Sequence, residues 1–219
     1  QQFIVAGLAE DVGPGDYTSL ACIPADKQDR VQLLVKDHGV LAGVEIAGHM
    51  LRHVDPAIEL TVHLHDGAAV REGDIAFTAT GNSRALLQVE RLLLNTMQRM
   101  SGIATMSRQY AQEVGDFPVQ ILDTRKTTPL IRFLEKWAVR IGGCTNYRDG
   151  LYDWIMIKDN HIAAAGGIEA AVSSVKAANR EGLPVEVEVR DLDEFDEALR
   201  LGVDRILLDN MSLTEMGEA

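Results

Sequence analysis

An α/β architecture in two halves is predicted by three features of this 219-residue chain. The first half mixes helical stretches with alternating strands. The second half repeats strand then helix. The change of pattern falls near Asp116, which sets the expected domains at 1–115, with connecting helices at its end, and 116–219.

In chain order, Phe3 to Glu10 is patterned as a short amphipathic helix, stopped by Gly13-Pro14-Gly15, a sequence that no helix survives. Val31 to Val35 and Ala57 to Leu64 are strand-like, and the second alternates cleanly, so one of its faces is wet. Val44 to His53 between them is helical. Gly67 and Gly73-Asp74 mark turns before a strand over Ile75 to Ala79. Strands with helices packed to one side predict a sandwich of α and β layers. The longest helix spans Arg84 to Met100, with a wide apolar face from Leu86, Leu87, Val89, Leu93, Leu94, Met97 and Met100. Ser101-Gly102 is expected to interrupt it, with a second helix from Ile103 to Val114. On pattern alone this helix pair is a connector or a dimer contact.

Beyond Asp116, strands are predicted over Val119–Leu122, Trp154–Ile157, Val185–Val189 and Arg205–Leu208, with helices between. The last two bracket a βαβ unit. Its helix is capped by Asp191, carries Leu192, Phe195, Ala198 and Leu199 on one face, and stops at Gly202. Repeated βα units give parallel strands, hence a barrel or an open α/β sheet. A closed barrel takes eight units in about 200–250 residues. Four are present, so a barrel would be incomplete here, and the sequence is expected to be a fragment.

Composition excludes several classes. With 46% hydrophobic, 25% charged and 5% aromatic residues the chain is of ordinary globular type. A net charge of −12 and a pI near 4.9 argue against a nucleic-acid or anionic-membrane surface. Cys22 and Cys144 have no metal-ligand spacing, and no apolar run approaches the roughly 18–20 residues of a membrane span. The start, Gln1-Gln2-Phe3-Ile4-Val5, has no basic segment of a secretory signal, and a reducing, cytoplasmic setting is expected.

Against this acidic background, three cationic clusters stand out. They are Asp123-Thr124-Arg125-Lys126-Thr127-Thr128-Pro129, Gly142-Gly143-Cys144-Thr145-Asn146-Tyr147-Arg148, and Ile157-Lys158-Asp159-Asn160-His161. The active face of α/β barrels lies at the carboxyl ends of the strands. That face is where Asp123, Arg125, Lys126, Lys158, Glu188 and Asp209 are expected. Arg125, Lys126, Arg148 and Lys158 suit a substrate with several carboxylates or phosphates. Glu188 and Asp209 would repel such an anion, so they imply Mg2+ bridging carboxylate to phosphate, or a cationic transition state. A solvated ring of salt bridges is the bland alternative. Gly142-Gly143 suggests a loop offering backbone N–H groups to an anion. Alone, His161 is more readily structural than catalytic, and His49, His53, His63 and His65 fall on patterned elements as surface or core residues. Nucleophile-triad, zinc-protease, Walker and dinucleotide fingerprints are absent.

These clusters, in their order and spacing, resemble quinolinate phosphoribosyltransferase, as do Glu10-Asp11-Val12-Gly13-Pro14-Gly15-Asp16, Glu90-Arg91 with Asn95, Ser101-Gly102-Ile103-Ala104-Thr105, Glu186-Val187-Glu188-Val189 and Leu208-Asp209-Asn210. The resemblance covers essentially the whole chain. It implies an N-terminal α/β sandwich followed by an open or atypical α/β barrel. It implies transfer of phosphoribosyl from phosphoribosyl pyrophosphate to quinolinate with Mg2+, with loss of pyrophosphate and CO2, to give nicotinate mononucleotide for NAD synthesis. It also implies a homodimer in which Arg91 reaches the partner's site. Substrate binding would fall to Arg91, Arg125, Lys126, Tyr147, Arg148, Lys158, Glu188 and Asp209. Lys126, Glu188 and Asp209 would be catalytic, with Glu188 and Asp209 meeting the metal directly or indirectly. The family usually has His at Tyr147 and Gly at Cys144 and Leu130. The side chains of Leu130 and Cys144 are therefore expected to narrow the anion loops, and Tyr147 cannot carry positive charge near neutral pH. The alternatives are a related phosphoribosyltransferase-like protein with another acceptor, and a catalytically impaired dimeric binding protein.

Overall fold

The computed structural model describes residues 1–219. It forms two compact units, Gln1–Tyr147 and Arg148–Ala219.

The first unit opens with α1 (Gln2–Val12), which ends at Gly13 with φ 54, followed by a short α2 (Tyr17–Cys22). The sequence pattern did not flag α2. Its start is fixed locally, because the Asp16 carboxylate accepts the Ser19 N–H at 3.0 Å. Strands β1 (Gln28–Leu34), β3 (Glu59–Val62) and β5 (Ile75–Asn82) form an antiparallel sheet in the order β1-β5-β3. A small pair, β2 (Gly39–Val40) with β4 (Ala69–Val70), lies outside that sheet. Helix α3 (Val44–Val54) buries Ile46, Ala47, Met50 and Leu51 in the common core.

Helix α4 (Ser83–Glu113) is the spine of this unit. Its 31 residues span about 46 Å at the α-helical rise. Asn82 caps it, with its side-chain oxygen accepting the N–H groups of Arg84 and Ala85. Leu86, Val89, Leu93, Met97, Met100 and Ala104 are buried along one stripe, and each large side chain contributes roughly 1.5–3 kcal/mol of burial. The predicted break at Ser101-Gly102 does not occur. A helical glycine costs only about 1 kcal/mol, and polar docking bonds in the same stretch offset it. The Ser101 hydroxyl accepts the Ala42 N–H at 2.9 Å, and the Thr105 hydroxyl accepts the Val40 N–H at 2.9 Å.

Helix α5 (Arg132–Gly142) packs along α4 at very close range. A Cβ at Gly142 would lie 2.4 Å from Ser107 Cβ and 2.5 Å from the Ala104 carbonyl oxygen, so only glycine permits this approach.

The second unit holds a parallel sheet in the order β6-β7-β8, from β6 (Ile155–Ile157), β7 (Val185–Val189) and β8 (Arg205–Leu208). Helices α6 (Asp159–Ala165), α7 (Ile168–Ala178), α8 (Leu192–Arg200) and α9 (Leu213–Glu218) alternate with or follow these strands. Asp191 caps α8 as expected, accepting the Glu194 N–H at 2.8 Å. The core is Ile157, Ile162, Val172, Val187, Val189, Ala198 and Met211. Parallel strands are therefore present, three in one sheet, without closure into a barrel. The strand expected over Val119–Leu122 shrinks to a bridge between Leu122 and Thr145 in the first unit. Two bonds hold it, Thr145 N–H to Ile121 O at 2.9 Å and Asp123 N–H to Thr145 O at 3.1 Å. Its only partner is the short loop after α5, which is too brief to propagate a ladder. No helix is long and apolar enough to cross a membrane.

Candidate active site

The first cationic cluster is an exposed loop pinned at both ends by α5. At its start, the Asp123 carboxylate receives the Lys136 ammonium at 2.5 Å and the Tyr147 N–H at 2.8 Å. Lys136 also donates to the Tyr147 carbonyl at 3.2 Å. The Asn146 side-chain nitrogen faces the Lys136 carbonyl at 2.9 Å and the other Asp123 oxygen at 3.0 Å. Both charged side chains are almost sealed, at 8% exposure for Asp123 and 3% for Lys136. At the loop's end, Glu135 accepts the Thr128 N–H at 3.0 Å and two bonds from Arg99, at 2.9 and 2.7 Å. Burial by itself pushes the Glu135 carboxyl upward, but the Arg99 and Thr128 bonds outweigh it and hold the group below the ordinary carboxylate value. Between the two anchors, Arg125 is half-buried and Lys126 exposed. Neither takes part in the unit's ion pairs.

Arg91 lies on α4 with its side chain 71% exposed, and its ion partner is its own neighbour Glu90 at 3.5 Å. Tyr147 is half-buried and contributes its backbone, through the bonds to Asp123 and Lys136.

In the second unit, the register Ile157↔Val187 carries Lys158 alongside Glu188, and the Lys158 ammonium meets the Glu188 carboxylate at 2.5 Å. Asp209 leaves the adjacent strand, with its N–H bonded to Val189 O at 2.9 Å, and is half-buried. The residue after it, Asn210, takes the left-handed conformation at φ 55, which turns the chain sharply away from the strand end. Lys158, Glu188 and Asp209 therefore gather at the carboxyl ends of three neighbouring parallel strands, where α/β folds place their ligands. Arg148 is buried, with its guanidinium directed to Trp154 O at 3.5 Å and Met156 Sδ at 3.4 Å.

Three expectations are corrected. Gly142-Gly143 is no anion-binding loop. Gly142 closes α5, Gly143 is its left-handed cap at φ 101, and the amides of Gly143 and Cys144 are spent on Arg140 O and Val139 O. Cys144 does not intrude on a cation loop. Its thiol is buried against Ser107 O on α4 at 3.2 Å, and that burial, first among its causes, pushes its pKa up. Leu130, at φ 68, points its side chain into solvent with 95% exposure, so it narrows nothing within its unit. His161 takes the structural role, with Nδ1 accepting the Lys158 N–H at 3.0 Å.

Sequence reasoning missed Arg99, Glu135 and Lys136. Adjacent Glu and Lys on a helix are ordinarily a solvated pair. The sequence carries no signal against that, because Arg132, Glu135, Lys136 and Arg140 share one polar face of α5; only the structure shows Glu135 and Lys136 buried.

Comparison with known proteins bears on the whole chain. The family model described as quinolinate phosphoribosyl transferase, N-terminal domain, matches residues 16–101, and that of the C-terminal domain matches residues 103–219. A probable nicotinate-nucleotide pyrophosphorylase (carboxylating) of Synechocystis sp. is 42% identical over 97% of this chain and 72% of its own length. The chloroplastic nicotinate-nucleotide pyrophosphorylase (carboxylating) of Arabidopsis thaliana is 46% identical over 95% of this chain and 62% of its own. The crystal structure of NadC from Streptococcus pyogenes superimposes with a TM-score of 0.95 at 40% identity, covering 99% of this chain and 77% of that one. The chain spans 57–72% of the length of such curated relatives. With both domain models matched in order and a solved member overlaid on 99% of this chain, the chain belongs to the quinolinate phosphoribosyltransferase family.

Proposed function

We propose that the protein carrying this chain transfers the phosphoribosyl group of phosphoribosyl pyrophosphate to quinolinate and releases CO2, in the synthesis of NAD. The observation that supports this most is the Lys158–Glu188 pair beside Asp209, at the ends of adjacent parallel strands in a member of this family.

The residues suit the chemistry. Departure of pyrophosphate leaves positive charge at the anomeric carbon, and a carboxylate already fixed in place stabilises that charge better than reorganising water. Glu188, with its side chain 13% exposed, is such a group. The quinolinate nitrogen attacks, a C–N bond forms, and the anomeric C–O bond breaks. The resulting pyridinium accepts the electron pair left when the adjacent carboxylate departs as CO2, and a proton then takes that carbon. Arg125 and Lys126 are free of internal ion pairs and suit the substrate anions. Arg148 and Lys158 suit the same role, with Lys158 keeping one N–H on Glu188 and offering its others to substrate. Tyr147 offers a phenol where the family usually has imidazole, and therefore a neutral hydrogen bond. We assign Arg91 to the partner's site in a homodimer, since its long exposed side chain has no use in its own unit beyond Glu90.

For Mg2+, no cluster of three or more His, Cys, Asp or Glu could cage the ion by protein alone. Glu188 and Asp209 do fit the usual form, in which one or two carboxylates bind the ion together with substrate phosphates. When bound, it would neutralise charge on the pyrophosphate leaving group.

The test is direct. Purified protein with quinolinate, phosphoribosyl pyrophosphate and Mg2+ should release CO2 and pyrophosphate in equal amounts, and Lys126→Ala or Glu188→Gln should abolish most of it. Absence of CO2 at high protein concentration would overturn the proposal.

A further inference from the structure

We infer that Glu135, locked by Arg99, is a positioning residue that fixes the place of Arg125 and Lys126 in the anion-binding loop. The inference rests on the reading of those two cations given above.

The loop has little to hold it from within. Its internal bonds are short-range, Lys126 N–H to the Thr124 hydroxyl at 3.1 Å and Thr127 N–H to Arg125 O at 2.9 Å. Thr128, Pro129 and Leu130 are all exposed, so no apolar contact anchors the segment. What holds it is the first turn and a half of α5, through Arg132, Glu135 and Lys136. Lys136 grips the start through Asp123, and Glu135 grips the end through the Thr128 N–H. The two cations lie between these anchors.

The carboxylate is an expensive choice for mere packing. Glu135 is 5% exposed, and a buried charge is often replaceable by an apolar side chain of similar volume without loss of stability. Its value is directional. One oxygen accepts the loop amide, and the other is held by the Nε and Nη2 of Arg99, whose Nη2 also reaches the Thr128 hydroxyl at 3.2 Å. The Arg99 fork thereby fixes both the acceptor and the residue it accepts from. The lowered pKa of Glu135 agrees with an anion maintained for this purpose. Thr127 is tied independently by Arg132 Nε at 3.0 Å, so the final loop residues are set from α5 at two points. Arg125 and Lys126 can then meet a rigid dianion without first being ordered, which is what preorganisation contributes to binding.

The test uses Glu135→Gln, which keeps the shape and removes the charge, read in two ways. Hydrogen exchange of amides 124–128 and 130 should accelerate about tenfold or more, the size expected for losing a charge-assisted bond. Exchange in α4 and β5 should not change. In the enzyme assay KM for quinolinate should rise by a similar factor while kcat moves far less, because the chemical groups remain. Unchanged loop exchange overturns the inference. So does faster exchange with KM and kcat both intact, since that leaves only a structural role. If Glu135→Gln fails to fold, Arg99→Ala decides by the same two readouts, because its side chain is 55% exposed and its removal empties no core. The exchange arm is independent of substrate identity. Protein inactive on quinolinate would defeat the proposed function while the exchange result still judged the loop.

Discussion

Replacing Lys136 by Met removes an ammonium from a nearly dry site while keeping most of its volume, so the cost is electrostatic rather than one of packing. Asp123 would be left with its charge, 8% exposed, and with two remaining donors, the Tyr147 N–H at 2.8 Å and the Asn146 amide at 3.0 Å. Breaking a buried pair by removing one partner costs about 3–5 kcal/mol. The two retained bonds place this case at the lower end, near 3 kcal/mol, which lowers Tm by about 6–12 °C in a chain of this size. Asp123→Asn should be similarly damaging, because it strands the ammonium instead. The double variant Asp123→Asn, Lys136→Met has no buried charge and still offers the Tyr147 N–H an acceptor, so it should recover to within about 1 kcal/mol of wild type. Urea denaturation followed by circular dichroism measures all four corners of the cycle. If Lys136→Met costs under about 1 kcal/mol, or the double variant costs the sum of the singles, the pair is not what holds the loop's start.

Three further outcomes are expected. Gly142→Ala should destabilise by about 3 kcal/mol in urea denaturation, since the new Cβ meets the Ala104 carbonyl at 2.5 Å and backbone cannot rotate away; a neutral result would show that α4 and α5 part easily. Leu130→Gly should stabilise by about 0.5–1 kcal/mol, because the left-handed residue at φ 68 costs more than glycine's extra unfolded-state entropy and its exposed side chain packs on nothing; a lower urea midpoint would contradict this. Arg91→Ala should lose activity with an unchanged unfolding midpoint, as its side chain is 71% exposed. Mixed with Lys126→Ala, it should regain activity through heterodimers carrying one intact site, and a mixture no better than either parent would argue against a shared site.

The legible parts of the fold were those written in local pattern. The stripe from Leu86 to Met100 announced α4, and Asp191 with Gly202 bracketed α8, because helix faces and caps depend on neighbours a few residues away. Where partners from afar decide, local pattern failed. Ser101-Gly102 looked like a break because the backbone of Val40 and Ala42, which docks there, lies some sixty residues earlier. Val119–Leu122 looked like a strand because its own residues favour one, yet a ladder needs a neighbour long enough to sustain it. Gly142-Gly143 has the composition of an anion loop, and only the approach of α4 shows that the first glycine serves close packing and the second a helix cap.

The sequence by itself determined the family, the βα order of the second half and the strand-end location of Lys158, Glu188 and Asp209, since charge set against an acidic background and strand periodicity are both local properties. Tertiary structure alone decided which charges are held and which stand free. Lys136 and Glu135 sit side by side on a short helix and look like an ordinary solvated pair, yet both are buried and each grips one end of the loop that carries Arg125 and Lys126. Desolvation makes that difference, because it turns a surface ion pair of little worth into a fixed anchor, and desolvation depends on what packs around a residue rather than on which residues adjoin it.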